Sequence, residues 1–314
     1  MQQVAATALQ RQLESYDRSQ GVWHGTGKSI PLDQLGDEAT WRDALSKVRI
    51  ARDIRLENEW YPAVVLDVGK NEARLGIEGV EEDDDGHWIP AKDVQWARKR
   101  LTDGSLAKKA RVAGDLVAVG EVVHVRRMTA DNDGSFIRWT LRQVPNVQGG
   151  FVAMDVDTGR VIAMQGGFSY QASVFNRATQ AKRQPGSSFK QFVYAAALDS
   201  GYTPATIVVD APIEINTPQG LWRPRNSSNK FYGPTPLRTG IEQSRNLMTI
   251  RLAKEVWMDT VANYAESVGV YNNMGRFLAN SLGSEETTLY QMVAAYAMFA
   301  NGGELVQPTL VDRV

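Results

Sequence analysis

The chain of 314 residues is long enough for two or more compact units, and its 43% hydrophobic and 23% charged residues are typical of globular proteins. A formal net charge of -1 gives no electrostatic reason to expect a nucleic-acid partner. The sequence has no cysteine, which excludes disulfides and thiolate chemistry, and His24, His87 and His124 show no metal-ligand spacing, so we expect neither a metal nor a cofactor.

An amphipathic helix opens the chain. Apolar residues recur at helical spacing from Val4 to Tyr16, and the pattern stops before Gly21. No window approaches the ~20 apolar residues of a membrane span, and the first residues lack the pattern of a signal peptide. Because the helix starts at once and residues 311–314 have the pattern of a strand interior, we expect a soluble fragment of a longer parent protein.

Residues 21–147 have the character of a small β-domain. Short runs rich in aromatic and β-branched residues alternate with turn-forming segments such as 69–71 and 131–134. Hairpin spacing of this kind predicts a small antiparallel barrel of the oligonucleotide/oligosaccharide-binding (OB) type. The predicted strands are residues 60–68, 72–77, 87–96, 116–126 and 136–144.

The remainder of the chain, after a junction at residues 145–150, predicts a hairpin followed by helices. Two strands at 151–155 and 161–165 flank a turn. The predicted helices are residues 187–200, 235–254, 258–268 and 288–300, the last with Thr287 or Thr288 as its cap. The sequence therefore predicts an α/β (α+β) domain of residues 1–20 and 148–314, into which the β-barrel of residues 21–147 is inserted.

The segment 183–190, Arg-Gln-Pro-Gly-Ser-Ser-Phe-Lys, carries the clearest chemical signal. A Pro-Gly turn brings Ser187 to the first turn of an apolar helix, and Lys190 follows on the same face. A serine hydroxyl needs a base to attack at neutral pH, and at this spacing, ~5–6 Å between Cβ atoms, a lysine amine can contact it directly. Burial beside Phe189 and Phe192 favours the neutral amine. We therefore expect Ser187 to be a nucleophile and Lys190 its base.

A second polar pair, Ser244 and Asn246, stands in a break within the helical region. In one interpretation both side chains face a cleft, where Ser244 relays a proton and Asn246 binds a substrate amide. In the other they form a helix cap. Two further Ser-x-x-Lys stretches, 105–108 and 227–230, lie in polar segments and do not open apolar helices, so we assign them no catalytic role.

Together these motifs resemble the transpeptidase domain of class A (bifunctional) penicillin-binding proteins. Ser-x-x-Lys at 187–190 and Ser-Arg-Asn at 244–246 carry the resemblance. Further similarity lies in residues 150–166, 168–170, 175–178, 222–226, 282–285 and 294–303. The likeness covers about residues 150–314. Residues 1–17 resemble the helix that opens the same domain, and the middle segment resembles an accessory barrel that some members insert there.

The resemblance implies a serine D,D-transpeptidase without a cofactor. Ser187 would attack the carbonyl between the D-alanines of a peptidoglycan stem peptide, with Lys190 as base, Ser244 as proton relay and Asn246 as a substrate contact. The Ser187 N–H would be one oxyanion donor, and β-lactam antibiotics would acylate the same serine. For the parent protein the resemblance implies a membrane anchor, the periplasmic face of the bacterial inner membrane, and a role in cell-wall synthesis and cell shape.

One part of the family pattern is absent from this sequence. No Lys-Thr-Gly follows Asn246, although the family has it on a strand lining the cleft, where it binds the substrate carboxylate and supplies a second oxyanion donor. Arg-Thr-Gly at 238–240 precedes Ser244 in a helical pattern. Loss of one oxyanion donor costs ~10²- to 10³-fold in rate. We therefore expect a C-terminally truncated domain that is weak or inactive by itself.

Two other functions remain open. A serine β-lactamase or D,D-carboxypeptidase shares the chemistry, although the large insertion and Ser-Arg-Asn in place of Ser-Asp-Asn disfavour a β-lactamase. A non-catalytic cell-wall scaffold would use the barrel to dock a protein or glycan partner. Four tryptophans are candidates for such a face, but core packing is the favoured interpretation for them: Trp60, Trp88, Trp96 and Trp139.

Overall fold

A computed structural model describes residues 1–54, 56, 60–82, 84–218 and 220–311. The chain divides into two compact units: Met1–Phe151 with Met164–Asn176, and Val152–Ala163 with Arg177–Val314. Most of the strand pattern noted at 311–314 lies outside the described residues. Among the helices of the described ranges, none has the length and apolar character needed to cross a membrane.

The first unit is built on an antiparallel sheet. Strands β3, β4 and β5 form a meander, while β7 pairs with β3 on one side and with β2 and β8 on the other. Strands β1 and β6 form a separate parallel pair. In chain order the elements are α1 (Gln2–Gln20), β1 (Val22–Trp23), β2 (Lys28–Ser29), α2 (Glu38–Lys47), β3 (Trp60–Val68), β4 (Glu72–Ile77), β5 (His87–Pro90), β6 (Arg98–Lys99), β7 (Glu121–Thr129) and β8 (Phe136–Arg142).

Strand β3 is buried on both faces because a core lies on each side of it. Ala63 and Val65 pack with Leu75 in the interior of the β-unit. Val64 points to the opposite face, where it packs with Trp41 of α2. The sequence of this central strand is therefore a nearly continuous apolar run rather than a strict alternation of apolar and polar residues.

Helix α2 is absent from the sequence-based prediction. It begins behind Asp37, whose carboxylate accepts a hydrogen bond from the Thr40 N–H at 3.0 Å, and its buried residues are Trp41 and Leu45. Gly76 gives the Trp41 ring its space, since a Cβ at that position would lie 2.9 Å from the ring. Two buried residues are too few for a helical period to stand out in the sequence.

The predicted strands of the β-unit are confirmed, with shorter bounds for three of them. β3 and β4 have the predicted bounds. β5 ends at Pro90, where a 3-10 turn begins. β7 begins at Glu121 rather than at residue 116, because a 3-10 turn and Gly120, with φ 87°, precede it, and it ends at Thr129, beyond the predicted end at residue 126. β8 ends at Arg142.

The edges of the sheet meet through side chains. Trp139 Nε1 on β8 donates to His87 Nδ1 on β5 at 3.3 Å, and Arg138 Nε lies 2.6 Å from Asp93 Oδ2. Within residues 60–82 and 84–142, no backbone pairing joins β5 to β8. In place of a backbone ladder, β8 contacts β5 through an indole–imidazole hydrogen bond and contacts the 3-10 turn after β5 through an ion pair.

The four tryptophans considered for a binding face lie largely in packed surroundings. Trp60 and Trp139 are buried in two of the cores. The Arg18 guanidinium covers the ring of Trp96 at 4.3 Å from its centroid, and Trp88 Nε1 donates to a backbone carbonyl at 2.6 Å. These contacts favour the packing interpretation.

Helix α1 packs within the first unit. Leu13 belongs to a cluster with Trp60 and Phe168, and Gln10 Nε2 donates to the Phe168 carbonyl at 2.7 Å. The helix ends at Gln20, and Gly21, which follows it, has φ 65°. The compact units thus group residues 1–20 with the β-unit and with 164–176, whereas the sequence assigns them to one domain with residues 148–314. The assignment of residues 1–20 to one domain with residues 148–314 stays a prediction.

The second unit is mainly helical. Strands β9 (Phe151–Met154) and β10 (Val161–Gln165) form the predicted hairpin. The elements that follow are β11 (Lys182–Arg183), α3 (Lys190–Asp199), β12 (Ile207–Asp210), β13 (Ile215–Thr217), β14 (Gly220–Trp222), β15 (Gly233–Pro236), α4 (Leu237–Glu242), α5 (Asn246–Glu255), α6 (Met258–Ser267), β16 (Thr287–Thr288) and α7 (Leu289–Ala300).

Helices α3 to α7 share the core of this unit. One cluster contains a residue from each of them: Phe192 of α3, Leu237 of α4, Leu252 of α5, Val261 of α6 and Ala295 of α7. The helix predicted at 235–254 is two helices, α4 and α5, because Ser244 between them adopts φ 50° and interrupts the helical geometry.

We expect Leu45→Ala to destabilise the first unit by about 2–5 kcal/mol, because Leu45 is fully buried and its truncation leaves a cavity. Leu32→Ala is the matched control: Leu32 is 68% exposed, so the free energy of unfolding should change by less than about 0.5 kcal/mol. Urea unfolding followed by circular dichroism measures both. Equal effects of the two substitutions would contradict the packing of α2 on the sheet.

Candidate active site

Ser187 stands in the turn that leads into α3. The Pro-Gly pair places it in a 3-10 turn, Gly186–Phe189, and the α-helix begins at Lys190. The Gly186 N–H donates to the Gly283 carbonyl at 3.0 Å. Both glycines have positive φ, 56° and 73°, and a Cβ at Gly283 would clash with the Gly186 carbonyl. The close approach of two backbones thus fixes the turn, and the Ser187 side chain is exposed.

Aromatic rings hold the start of α3. The Phe189 ring centroid lies 5.5 Å from that of Phe192 and 5.7 Å from that of Tyr271. The Tyr296 hydroxyl donates to the Ser188 carbonyl at 2.7 Å. Because both phenylalanines are fully buried, the exposed serine next to them is attached to a close-packed interior.

The Lys190 amine is buried against the segment between α4 and α5. Its Nζ lies 2.7 Å from Ser244 O, 2.9 Å from Ser244 Oγ and 2.6 Å from Asn246 Oδ1, and the residue is 2% exposed. No carboxylate of the described ranges lies within ion-pair distance of it. Burial therefore lowers the pKa of Lys190 from 10.5 to about 8, because the charged form loses its hydration.

The two protonation states of Lys190 use these oxygens differently. An ammonium has three N–H donors, one for each oxygen. A neutral amine can donate to Ser244 O and Asn246 Oδ1 and accept, through its lone pair, from the Ser244 hydroxyl. Of the three partners only that hydroxyl can reverse its direction, so a proton can move between Ser244 and Lys190.

Helical spacing permits a direct hydrogen bond between Ser187 and Lys190, but the amine makes its hydrogen bonds elsewhere. In the part of the chain that the structure describes, no hydrogen bond joins the Ser187 hydroxyl to the amine. The serine lies in the 3-10 turn, whereas the lysine is the first residue of α3 and directs its amine to residues 244–246. Those oxygens already satisfy all three donors of an ammonium. The structure brings Lys190, Ser244 and Asn246 together and places Ser187 beside them on the adjoining turn.

Ser244 holds a strained conformation. Its φ of 50° is a left-handed geometry that costs a non-glycine residue ~1–3 kcal/mol. In return, the carbonyl and hydroxyl oxygens of one residue both reach the Lys190 amine. Strain that persists because surrounding contacts compensate for it is a feature of functional sites.

Asn246 is oriented at both ends of its amide. Oδ1 accepts from Lys190, and Nδ2 donates to the Arg225 carbonyl at 2.8 Å. An asparagine amide has two N–H donors and two lone pairs, so one of each remains. Asn246 can therefore contact a substrate amide without releasing Lys190.

The other two Ser-x-x-Lys stretches show no such arrangement. Ser105 donates to Asp103 Oδ1 at 2.7 Å in an exposed turn, and Ser228 accepts from the Lys230 N–H at 3.3 Å in an exposed loop. Sequence reasoning gave no role to two residues that support the site, Gly283 and Asn226. Each lies far from its partner in sequence, and no local spacing signals the contact.

Two family profiles match the chain in succession. The penicillin-binding protein OB-like domain matches residues 23–147, and the penicillin binding protein transpeptidase domain matches residues 149–314. The chain belongs to the penicillin-binding protein transpeptidase family. The predicted fold class, a mixed α/β transpeptidase fold with an OB-like domain, is thereby confirmed.

Similar penicillin-binding proteins match over the whole chain. Penicillin-binding protein 1A of Rickettsia typhi is 36% identical over 317 residues and that of Vibrio cholerae 36% over 324, each covering 100% of this chain. A 2.6 Å crystal structure of penicillin-binding protein 1A from Haemophilus influenzae matches 98% of this chain with a TM-score of 0.79 and 30% identity. The chain spans 36% and 37% of the two curated relatives and 42% of the crystallised chain.

In this penicillin-binding protein we expect Lys190 to titrate with a midpoint near pH 8, because burial disfavours its charge, whereas solvated lysines titrate near ~10.4. Lysine ¹⁵Nζ NMR measures the midpoint, and Lys190→Arg identifies the resonance. The unfolded chain binds the proton more tightly, so stability should rise with pH between about 8 and 10.5. Lys190→Met should abolish that rise. A midpoint equal to that of solvated lysines would contradict the burial.

Proposed function

We propose that this chain carries the acylation site of a peptidoglycan D,D-transpeptidase, with Ser187 as nucleophile. The observation that supports this most is the buried Lys190 amine, which Ser244 and Asn246 hold beside the turn that carries Ser187. A lysine with a pKa of about 8 is partly a free amine near neutral pH and can act as a general base.

In the proposed acylation, Ser187 Oγ attacks the carbonyl carbon between the two D-alanines of a stem peptide. The hydroxyl proton passes through Ser244 to Lys190 and then to the nitrogen of the terminal D-alanine, which leaves as the C–N bond breaks. Within the described ranges the Ser187 N–H has no acceptor. It lies at the start of a helical turn and is available to the developing oxyanion.

In the proposed second step, an amino group of a neighbouring stem attacks the Ser187 ester. The new amide bond forms, the ester C–O bond breaks, and the amine proton returns through Lys190 to the serine oxygen. The free N–H of Asn246 donates to a substrate amide during both steps. A β-lactam would open on the same serine and leave an acyl group that blocks it.

We propose that the parent protein is membrane-anchored at the periplasmic face of the bacterial inner membrane, where it serves cell-wall synthesis and cell shape. The match to penicillin-binding protein 1A over the whole chain supports this. The OB-like unit would then offer a surface to a protein or glycan partner.

A hydrolase is the second candidate, since a D,D-carboxypeptidase uses water in place of the amine and a serine β-lactamase adds fast deacylation. The match of residues 23–147 to a penicillin-binding protein domain favours the synthase over a β-lactamase. A non-catalytic cell-wall scaffold would show no acylation at all.

A fluorescent penicillin tests the proposal on two forms: this chain, and the same chain extended by a strand carrying the family's Lys-Thr-Gly. We expect labelling of Ser187 in the extended form and labelling ~10²- to 10³-fold slower in the chain itself, because one oxyanion donor is missing. Peptide mapping by mass spectrometry locates the acyl group. Ser187→Ala should abolish labelling, whereas Ser188→Ala, on the adjacent exposed serine, should not.

Three results would count against the proposal. Labelling of Ser187→Ala at the unsubstituted rate would place the reaction elsewhere. No labelling of the extended form would favour the scaffold. A label on Ser187 that is released rapidly by water would favour the hydrolase.

A further inference from the structure

The N-terminus of helix α5 is capped from a distant segment. Its N-cap residue, Arg245, forms no side-chain cap bond. Instead, Asn226 Oδ1 accepts a hydrogen bond from the Leu247 N–H at 3.3 Å, one of the donors that a helix start leaves free. An external asparagine thus fixes where α5 begins, two residues after Ser244.

The residue before Asn226 holds the same helix start. The Arg225 carbonyl accepts from Asn246 Nδ2 at 2.8 Å, and Asn246 Oδ1 accepts from Lys190 Nζ at 2.6 Å. Rotating the Asn246 amide by half a turn would place donor against donor at one end and acceptor against acceptor at the other. The segment 225–226 therefore determines which atom Asn246 presents to the amine.

Asn226 is itself anchored by a buried carboxylate. Its Nδ2 lies 2.7 Å from Asp210 Oδ1 and 3.0 Å from Asp210 Oδ2. The same Nδ2 lies 3.0 Å from the Lys230 carbonyl. Asp210 is 0% exposed and Asn226 4%, so loss of the Asn226 amide removes hydrogen bonds from a carboxylate in the interior, which is costly. Asp210 ends strand β12 and pairs there with Gly233 of β15. The two-stranded sheet of β12 and β15 thus anchors the contacts that lead from Asp210 through Asn226 to the start of α5.

The charge of Asp210 acts on the same turn. Asp210 Oδ2 lies 4.0 Å from Arg245 Nε, and the Arg245 guanidinium stacks 3.4 Å from the centre of the Tyr232 ring. A buried carboxylate needs such compensation to stay charged. Because Arg245 stands between Ser244 and Asn246, the ion pair links Asp210 to the backbone of both residues that contact Lys190.

We infer that Asp210 and Asn226 are positioning residues for Lys190, which fix the turn of residues 244–246 so that its oxygens hold the amine beside the nucleophile. The catalytic consequence rests on the proposed function, whereas the effect on the amine does not. Without the hydrogen bonds of Asn226 to Asp210 and to the Leu247 N–H, the oxygens of the turn can move away from Lys190 Nζ and water can enter. The amine then regains hydration, which favours its charged form.

The first test compares Asn226→Ala with Asn216→Ala, an exposed asparagine on β13 of the same unit. We expect Asn226→Ala to slow penicillin acylation of the extended form by ~10²-fold, the cost of a catalytic group displaced by about 1 Å. The Asn216→Ala control should keep the unsubstituted rate. In the chain itself, ¹⁵Nζ NMR should show the Lys190 midpoint shifted upward in Asn226→Ala only.

The second test exchanges the partners, which separates positioning from a general loss of packing. Asn226→Asp alone places two carboxylates in contact in the interior, so we expect a loss as large as that of Asn226→Ala. Adding Asp210→Asn restores one amide and one carboxylate, and the carboxylate at 226 still accepts from the Leu247 N–H. We expect the double variant to acylate at least about tenfold faster than Asn226→Asp, because coupled residues compensate each other.

The inference is overturned if Asn226→Ala keeps both the unsubstituted acylation rate and the unsubstituted Lys190 midpoint, or if the double exchange is no faster than Asn226→Asp. If circular dichroism shows that Asn226→Ala does not fold, the acylation rates of Asn226→Asp and of the double variant with Asp210→Asn decide whether the two residues position Lys190. If the unsubstituted extended form is not acylated, the proposed function fails, and the Lys190 midpoint alone tests the positioning.

Discussion

The burial of the Lys190 amine is the constraint on which the site depends. Three oxygens of Ser244 and Asn246 replace the water around Nζ, with no carboxylate in contact among the described residues, and the pKa falls to about 8. Such an amine is useful as a base only while each oxygen stays in place. Contacts on both sides of the site keep the amine and these oxygens in place. Aromatic packing fixes the start of α3, and the segment 225–226 fixes the start of α5.

Much of the fold follows from local sequence patterns. β3 and β4 have their predicted bounds because apolar runs and the breaker at 69–71 are sufficient to define them. Two features depend on contacts that no local pattern records. Helix α2 is fixed by the fit of Trp41 over Gly76, and the edges of the sheet are joined by side chains rather than by a backbone ladder.

The candidate site divides in the same way. Residue type and spacing predict Ser187 and Lys190 as a pair, and they place Ser244 and Asn246 in a break. Helical spacing also permits a direct contact within the first pair, but in the structure the Lys190 amine makes its hydrogen bonds to the second pair. The i,i+3 rule considers only one helix, whereas the amine responds to whichever acceptors burial brings to it. No local spacing rule predicts the hydrogen bonds of Asn226, because its partners lie on β12 and α5.

The contact beneath Ser187 is made by backbone alone. Gly186 and Gly283 approach so closely that a methyl group on the second would collide with the first. Gly283 therefore offers no gradual route of sequence change, because the first carbon added there would already displace the turn of residues 186–189. On the other side of the candidate site, side chains of Ser244 and Asn246 make two of the three contacts with Lys190 Nζ, so a substitution there can change the contacts without displacing the backbone.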